Sequence, residues 1–412
     1  MASGCDAQQL GIHGFRNYSV GNLEPSLADA TWTREQPIWN YLDRLGLSCV
    51  VLNVPLTYPP QTLRNGVIVC GFLAPNDGRI YGSPPQRIAQ LQDLGPYPVD
   101  ISNEDRTDPE QLLSSAKQML AKHLEVAGAA LADGEWDFAM WMELGPDRIH
   151  HTLWPWIDPN DPRYDPTHSI YQGVLDYYRE LDRAVGTLLG LCDEDTVVCV
   201  ASDHGAQSML GGFRVNQWLL QAGWLSLRDP QSEARRFDPS DIDWARTKAF
   251  AWGGYHARIF LNVEGREPHG IIPPPSFADE RARLANLLGD VRGPNHERWA
   301  NQVLLAPSAQ VLEQPRGKVI PPDITVYFDQ LAWRAIDSVG GDTDDLWWPQ
   351  SDHGQSGANH DLHGIWIIRD FRRDGPGVLQ PDVPIWDLAP TWCSLLDIRP
   401  MPNIRGRTLV LD

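Results

Sequence analysis

Apolar positions along the chain fall into short runs that alternate with stretches of helical periodicity. The run most sharply bounded is TVVCVASDHG, Thr196 to Gly205, in which a β-branched segment ends in Ser202, Asp203, His204 and Gly205. It reads as a buried parallel strand with a functional turn at its carboxyl end. Upstream, Gln36 to Leu47 carries Trp39, Leu42, Leu45 and Leu47 at helical spacing, with Gly46 as a stop, and SCVVLNV (Ser48 to Val54) is a strand leading into the loop PLTYPP. Asn65 to Pro98 is rich in Gly and Pro and reads as irregular surface structure around one short strand candidate, GVIVCGF. Pro109 to Ala132 reads as a long helix and Trp136 to Met142 as a strand. The Pro- and aromatic-rich stretch 143–166 reads as an ordered loop forming a lid or cleft wall, and Ser169 to Leu191 as a helix feeding the TVVCVA strand. This alternation predicts an α/β fold with a central, mostly parallel sheet covered by helices on both faces.

Beyond Gly205 the pattern changes. A short helix at Val215 to Gly223 is followed by strand-like runs in Ala249 to Ile272, a helix at Phe277 to Leu288, and strands near Gln302 to Leu312 and Ile324 to Phe328. Residues 241–344 are therefore expected to form a smaller α+β insertion or cap. The α/β core is expected to comprise 1–240 and 345–412, resuming at GIWII (Gly364 to Ile368) and closing with a helix at Ile385 to Leu396. Ser202-Asp203-His204-Gly205 recurs as Ser351-Asp352-His353-Gly354. The second copy follows the acidic loop GGDTDDLWWPQ rather than a strand, and reads as coincidence.

Composition narrows the function. The chain has 412 residues, 42% hydrophobic and 21% charged, values of a globular protein. No apolar run is long enough for a membrane span, and MASGCDAQQL lacks the basic region and apolar core of a signal peptide, so the expected location is cytoplasmic. A formal net charge of −20 argues against nucleic-acid or anionic-membrane partners. An anionic substrate would need a local cation. The six cysteines lack CxxC spacing and several sit in apolar runs, as core residues do.

Asp and His cluster in three places beside predicted strands: Asp147 with His150 and His151; Asp203 with His204; and His353, His360 and His363. A lone His or Asp on a loop is ordinarily solvated, but three such clusters among 12 histidines point to a divalent ion such as zinc or manganese, which takes imidazole nitrogen and carboxylate oxygen together.

In order along the chain, GIHGF, LNVPLTYPP, the Asp-Arg-Ile-His-His-Thr-Leu-Trp run from Asp147, SDHG with VNQWLLQAGWL, FLNVEGREPHG, PPDITVYF, NHDLHGIWI and DLAPTWCSLL resemble the alkaline phosphatase superfamily, in its type I phosphodiesterase and nucleotide pyrophosphatase branch. The resemblance implies an alkaline phosphatase-like fold and one or two ions, zinc or alternatively manganese. Asp147, His151 and His360 would hold the first ion, and Asp203 with His204 the second. His363 and His150 would stand behind the ligands or face the substrate, and Arg148 and Arg214 would add positive charge near them. Two ions about 4 Å apart neutralise phosphoryl charge, which would let so acidic a chain accept a small phosphate ester or nucleotide-like substrate.

The family also carries an aspartate at the tip of its first strand and a Thr or Ser nucleophile at the start of a helix. By alignment both are expected upstream of Met1. Ser3 and Thr31 follow no predicted strand, so no nucleophile is assigned. Cys5, followed by Asp-Ala-Gln-Gln, does not fit the Cys-x-Pro-x-Arg of sulfatases. The implied function is a metal-dependent hydrolase of phosphate esters. The alternative is a non-catalytic protein that binds a ligand or partner on the same fold. A sheet lacking its first strand would expose an edge, from which self-association is expected.

Overall fold

In a computed structural model, the first buried strand, β1 (Cys49–Leu52), lies at the centre of a four-stranded sheet. Residues 1–410 are described apart from 34–35, 133–135, 162, 230–232, 309–311, 313–318, 342–344, 350–356 and 373–376. The chain divides into two compact units. The first comprises Met1–Leu10, Ala28–Gly205 and His363–Asp412; the second comprises Gly11–Leu27 and Ala206–Leu362.

In the first unit, α1 (Ile38–Arg44) precedes β1, and Gly46 takes a positive φ of 86° just after the helix, as a C-terminal stop requires. All of β1 is buried, matching its unbroken apolar run. It pairs in parallel with β2 (Gly66–Val69) on one side and with the later β4 (Phe138–Trp141) on the other, and β3 (Gly82–Ser83) adds to β2 antiparallel. The expectation of irregular structure over 65–98 is thus corrected: β2 is an inner strand, and α2 (Pro85–Gln92) follows it. Pro85 opens that helix. At the first position of a helix its missing N–H costs nothing, and Ile88 and Leu91 are buried behind it.

The long helix α3 (Pro109–Leu131) begins where the Asp108 side chain accepts from the Gln111 N–H at 2.8 Å. Residues 143–166 are not simply a loop, because α4 (Gly145–Ile157) occupies their first half, with Pro146 in its first turn. α5 (Ser169–Leu189) packs along α3, their buried faces sharing Leu112, Leu113, Ala116, Val174 and Tyr177.

β5 (Val197–Ala201) also departs from expectation. It pairs antiparallel with β6 (Trp366–Asp370), and none of its residues is fully buried. Val200 and its cross-strand partner Ile367 are 37% and 56% exposed, so the apolar run covers a sheet face only partly shielded. The closing helix, α6 (Leu388–Leu395), places Trp392 5.9 Å from Phe138 of β4.

The second unit has its own core. Strands Ala249–Trp252, Ala257–Leu261, Ile324–Tyr327 and Gln302–Leu305 form an antiparallel sheet in that order, with helix Phe277–Gly289 packed against the last two. Gly211–Arg214 lies between Trp333–Ile336 and Trp347–Trp348 in a smaller mixed sheet. Buried Arg266 pairs with Glu267 and Asp323, both at 2.7 Å, which satisfies ionised groups that could not otherwise be interior. The unit therefore takes in more chain than residues 241–344. Cys5, Cys49, Cys70, Cys192, Cys199 and Cys393 are free thiols, and no helix among the described residues is long and apolar enough to cross a membrane.

Close backbone packing gives a direct check. A Cβ at Gly71 would stand 1.7 Å from the Asn53 carbonyl oxygen, whereas one at Gly128 in α3 meets nothing within 4 Å. Gly71→Ala should lower the thermal midpoint steeply, while Gly128→Ala should stabilise the chain by about 0.5–1 kcal/mol through helix propensity. Thermal unfolding of both variants measures this, and equal midpoints would contradict the packing described.

Candidate metal centre

Asp147 lies in the first turn of α4, where a carboxylate is favoured by the unpaired N–H groups and the helix dipole. One turn later stands His151. The Asp-x-x-x-His spacing puts both on one helix face, and His151 Nε2 lies 3.3 Å from Asp147 Oδ1. The start of the helix is fixed from below, because Glu143 Oε1 accepts the Gly145 N–H at 3.0 Å. Its other oxygen is 2.8 Å from Nδ1 of buried His123, whose Nε2 faces the Pro98 carbonyl at 2.7 Å.

The turn after β5 approaches the same carboxylate. Ser202 N–H donates to Ile365 O at 2.9 Å, and Ser202 Oγ accepts from Ile365 N–H at 2.8 Å. Gly364 is required here, since a Cβ would lie 2.3 Å from Ser202 Oγ. With the turn pinned, His204 Nδ1 sits 2.9 Å from the Gly205 carbonyl, which assigns the ring proton to Nδ1 and turns Nε2 the other way. Nε2 is then 3.8 Å from Asp147 Oδ1 and 3.6 Å from Asp203 Oδ2. His151 and His204, far apart in the sequence, thus approach a single carboxylate oxygen of Asp147 within one unit, and Asp203 adjoins them through His204.

This donor set suits a divalent ion. Donors about 2.0–2.1 Å from a tetrahedral ion stand about 3.3 Å apart, which is the observed separation of Asp147 Oδ1 and His151 Nε2. Asp203 is the outlying member, 74% exposed at its side chain.

The other candidates have different surroundings. Arg148 is pinned behind Asp147 rather than facing solvent: Nη1 is 2.7 Å from Asp147 Oδ2, and Nε and Nη2 reach Asp100 at 2.8 and 2.9 Å. His150 turns to Tyr178, whose hydroxyl is 2.6 Å from Nε2, with Trp154 edge-on, and burial pushes its pKa down to about 4. His363 is 77% exposed and 3.5 Å from Asp382 Oδ2.

In the second unit, His360 on strand Ala358–Asp361 stacks on Tyr255, ring centroids 3.6 Å apart, and its carbonyl accepts from Gln207 Nε2 at 3.0 Å. Arg214 does not face solvent. It is fully buried, with Nε on Ser338 Oγ at 3.0 Å and the rest of the guanidinium on the carbonyls of Gly340 and Asp345. His353 and the second Ser-Asp-His-Gly lie outside the described residues. Ser3 is buried, its Oγ accepting from Cys5 N–H at 3.3 Å, and Thr31 closes an exposed turn by donating to Asp29 at 2.6 Å.

The family described as type I phosphodiesterase / nucleotide pyrophosphatase matches residues 1–366. The chain belongs to this family, in the alkaline phosphatase superfamily, whose members are generally metal-dependent and act on small phosphate esters or nucleotides. A search of curated protein sequences returns no match. Among solved structures, phosphonoacetate hydrolase from Sinorhizobium meliloti is similar with a TM-score of 0.52 at 15% identity, over 96% of this chain and 82% of that one. Human ectonucleotide pyrophosphatase / phosphodiesterase 5 is similar with a TM-score of 0.50 at 15% identity, over 98% of this chain and 83% of that one. At such identity the likeness shows the fold, which is the alkaline phosphatase-like α/β fold.

His123 and Glu143 escaped the sequence reading because a buried helical His has no motif around it. Their pairing carries a prediction. Both side chains are at most 5% exposed, so Glu143→Ala, which leaves Nδ1 of His123 without its carboxylate while Nε2 keeps the Pro98 carbonyl, should cost about 3–5 kcal/mol. Glu143→Gln, retaining an oxygen acceptor, should cost less. Urea unfolding of the two variants checks the order, and the reverse order would contradict the pairing.

Proposed function

We propose that this chain is a metal-dependent hydrolase of small phosphate esters, of the phosphodiesterase or nucleotide pyrophosphatase kind. The observation that carries the reading is the approach of His151 and His204 to one oxygen of Asp147, at 3.3 and 3.8 Å, in a chain of this family. The ligand set is Asp147, His151 and, by family likeness, His360 for one ion, with Asp203 and His204 for a second. Zinc is the ion this mixed oxygen and nitrogen set favours, with manganese the alternative. A bound divalent ion supplies positive charge for the phosphoryl oxygens. The chain's own part is to orient that charge: α4 sets Asp147 and His151, and the Ser202–Gly205 turn sets His204.

The second reading is a protein of the same fold that binds a ligand without turnover; Ser3 is buried on its neighbour's backbone and Thr31 sits in an exposed turn, and neither is assigned as a nucleophile.

Elemental analysis of protein dialysed against zinc or manganese should find bound ion, reduced by at least about tenfold in affinity in Asp147→Asn and His151→Ala. Hydrolysis of bis-p-nitrophenyl phosphate and of a nucleotide pyrophosphate should be lost with the ion. Bound metal without turnover of either compound would favour the second reading, and protein that takes up no metal would rule out the first.

A further inference from the structure

The two oxygens of Asp147 are not equivalent. Oδ1 faces the imidazoles, 3.3 Å from His151 Nε2 and 3.8 Å from His204 Nε2, whereas Oδ2 accepts from Arg148 Nη1 at 2.7 Å. Residues adjacent on a helix do not ordinarily face each other, so the reach of Arg148 toward its neighbour needs a cause. That cause lies off the helix. Arg148 Nε and Nη2 close in parallel on Asp100 Oδ1 and Oδ2 at 2.8 and 2.9 Å, the two-pronged geometry only a guanidinium makes, and its carbon centre lies 4.9 Å from the Phe72 ring.

Asp100 is anchored independently of α4. Its carbonyl accepts from Asn76 Nδ2 at 2.8 Å, the same Asn76 accepts from Val99 N–H at 2.9 Å, and Arg106 Nη2 lies 2.6 Å from Asp100 Oδ2. The Arg148 side chain is only 10% exposed. Two guanidiniums face two carboxylates here, so the positive charge of Arg148 is balanced inside the protein rather than offered to a substrate.

We infer that Arg148 and Asp100 are positioning residues that hold Oδ2 of Asp147 and thereby present Oδ1 alone to the metal centre. A carboxylate turns easily about its last torsion, which has a broad two-fold profile. Without the clamp both oxygens would compete for the ion. The inference rests on the metal-binding reading above and adds to it two residues that touch neither ion nor substrate, one of them, Asp100, far from any sequence motif.

The test is titration of the chelator-stripped full chain with Co(II), followed by visible absorption and by competition with a chelator, for the natural protein and for Arg148→Met, Arg148→Lys and Asp100→Asn. Arg148→Met and Asp100→Asn should bind Co(II) about 10- to 100-fold more weakly and should show an altered visible band, which a merely structural role would leave unchanged. Arg148→Lys, keeping the charge but not the fork, should fall between. Circular dichroism of the metal-free variants separates misfolding from a site effect, and Asp100→Asn, nearly the same shape as the natural residue, keeps the test open should Arg148→Met not fold. Natural affinity and an unchanged band in folded variants would overturn the clamp alone. Absence of Co(II) binding by the natural protein would overturn the metal reading and the clamp with it.

Discussion

The first unit is built toward the carboxylate of Asp147, a charge that must be held at the start of a helix without being neutralised by it. Three separate devices do this. The helix dipole favours an anion in the first turn. The buried Glu143 and His123 fix where that turn begins. Arg148, braced on Asp100, occupies one carboxylate oxygen and leaves the other toward His151 and His204. Each device draws on a different part of the chain, from α3, from the 97–106 stretch and from α4 itself. The site is therefore a property of the whole unit rather than of one motif.

That arrangement reconciles the charge of the protein with its family. A net charge of −20 would repel a phosphate ester at a distance. Attraction must then be local and must exceed the background field, which a divalent ion within a few ångströms of its donors does and a surface arginine does not. The two arginines nearest the sequence motifs bear this out: Arg148 is consumed by two carboxylates, and Arg214 is buried among carbonyls in the second unit. Both guanidiniums are thus engaged within the protein, and in the proposed reading the local positive charge would come from an ion held by the histidines and aspartates.

Much of this was legible in the residues. The β-branched runs around Cys49 and Val197 are strands, and the Asp-x-x-x-His spacing becomes one turn of helix. The pairing of Asp147 with His151 came from the family resemblance, because a stretch that reads as a loop does not set one histidine above the other on a helix face. What was not legible has physical causes. Pro146 and Pro85 look like helix breakers in a string of letters but sit where a helix has no use for their missing N–H. β5 reads as a buried parallel strand because its apolar content says nothing about direction, and its actual partner, β6, lies more than 160 residues on in the sequence by the cross-strand pairing of Ala201 with Trp366. Asp100 and His123 carry no local signal; their roles arise only when distant segments meet.

The central claim is that Asp147 and the imidazoles beside it hold a metal ion. X-ray absorption at the zinc edge, on zinc-loaded natural protein and on His151→Ala, tests it most directly. The account predicts oxygen and nitrogen scatterers at about 2.0–2.1 Å with an imidazole contribution that weakens in the variant. A spectrum without imidazole, or one identical in the two proteins, would contradict it.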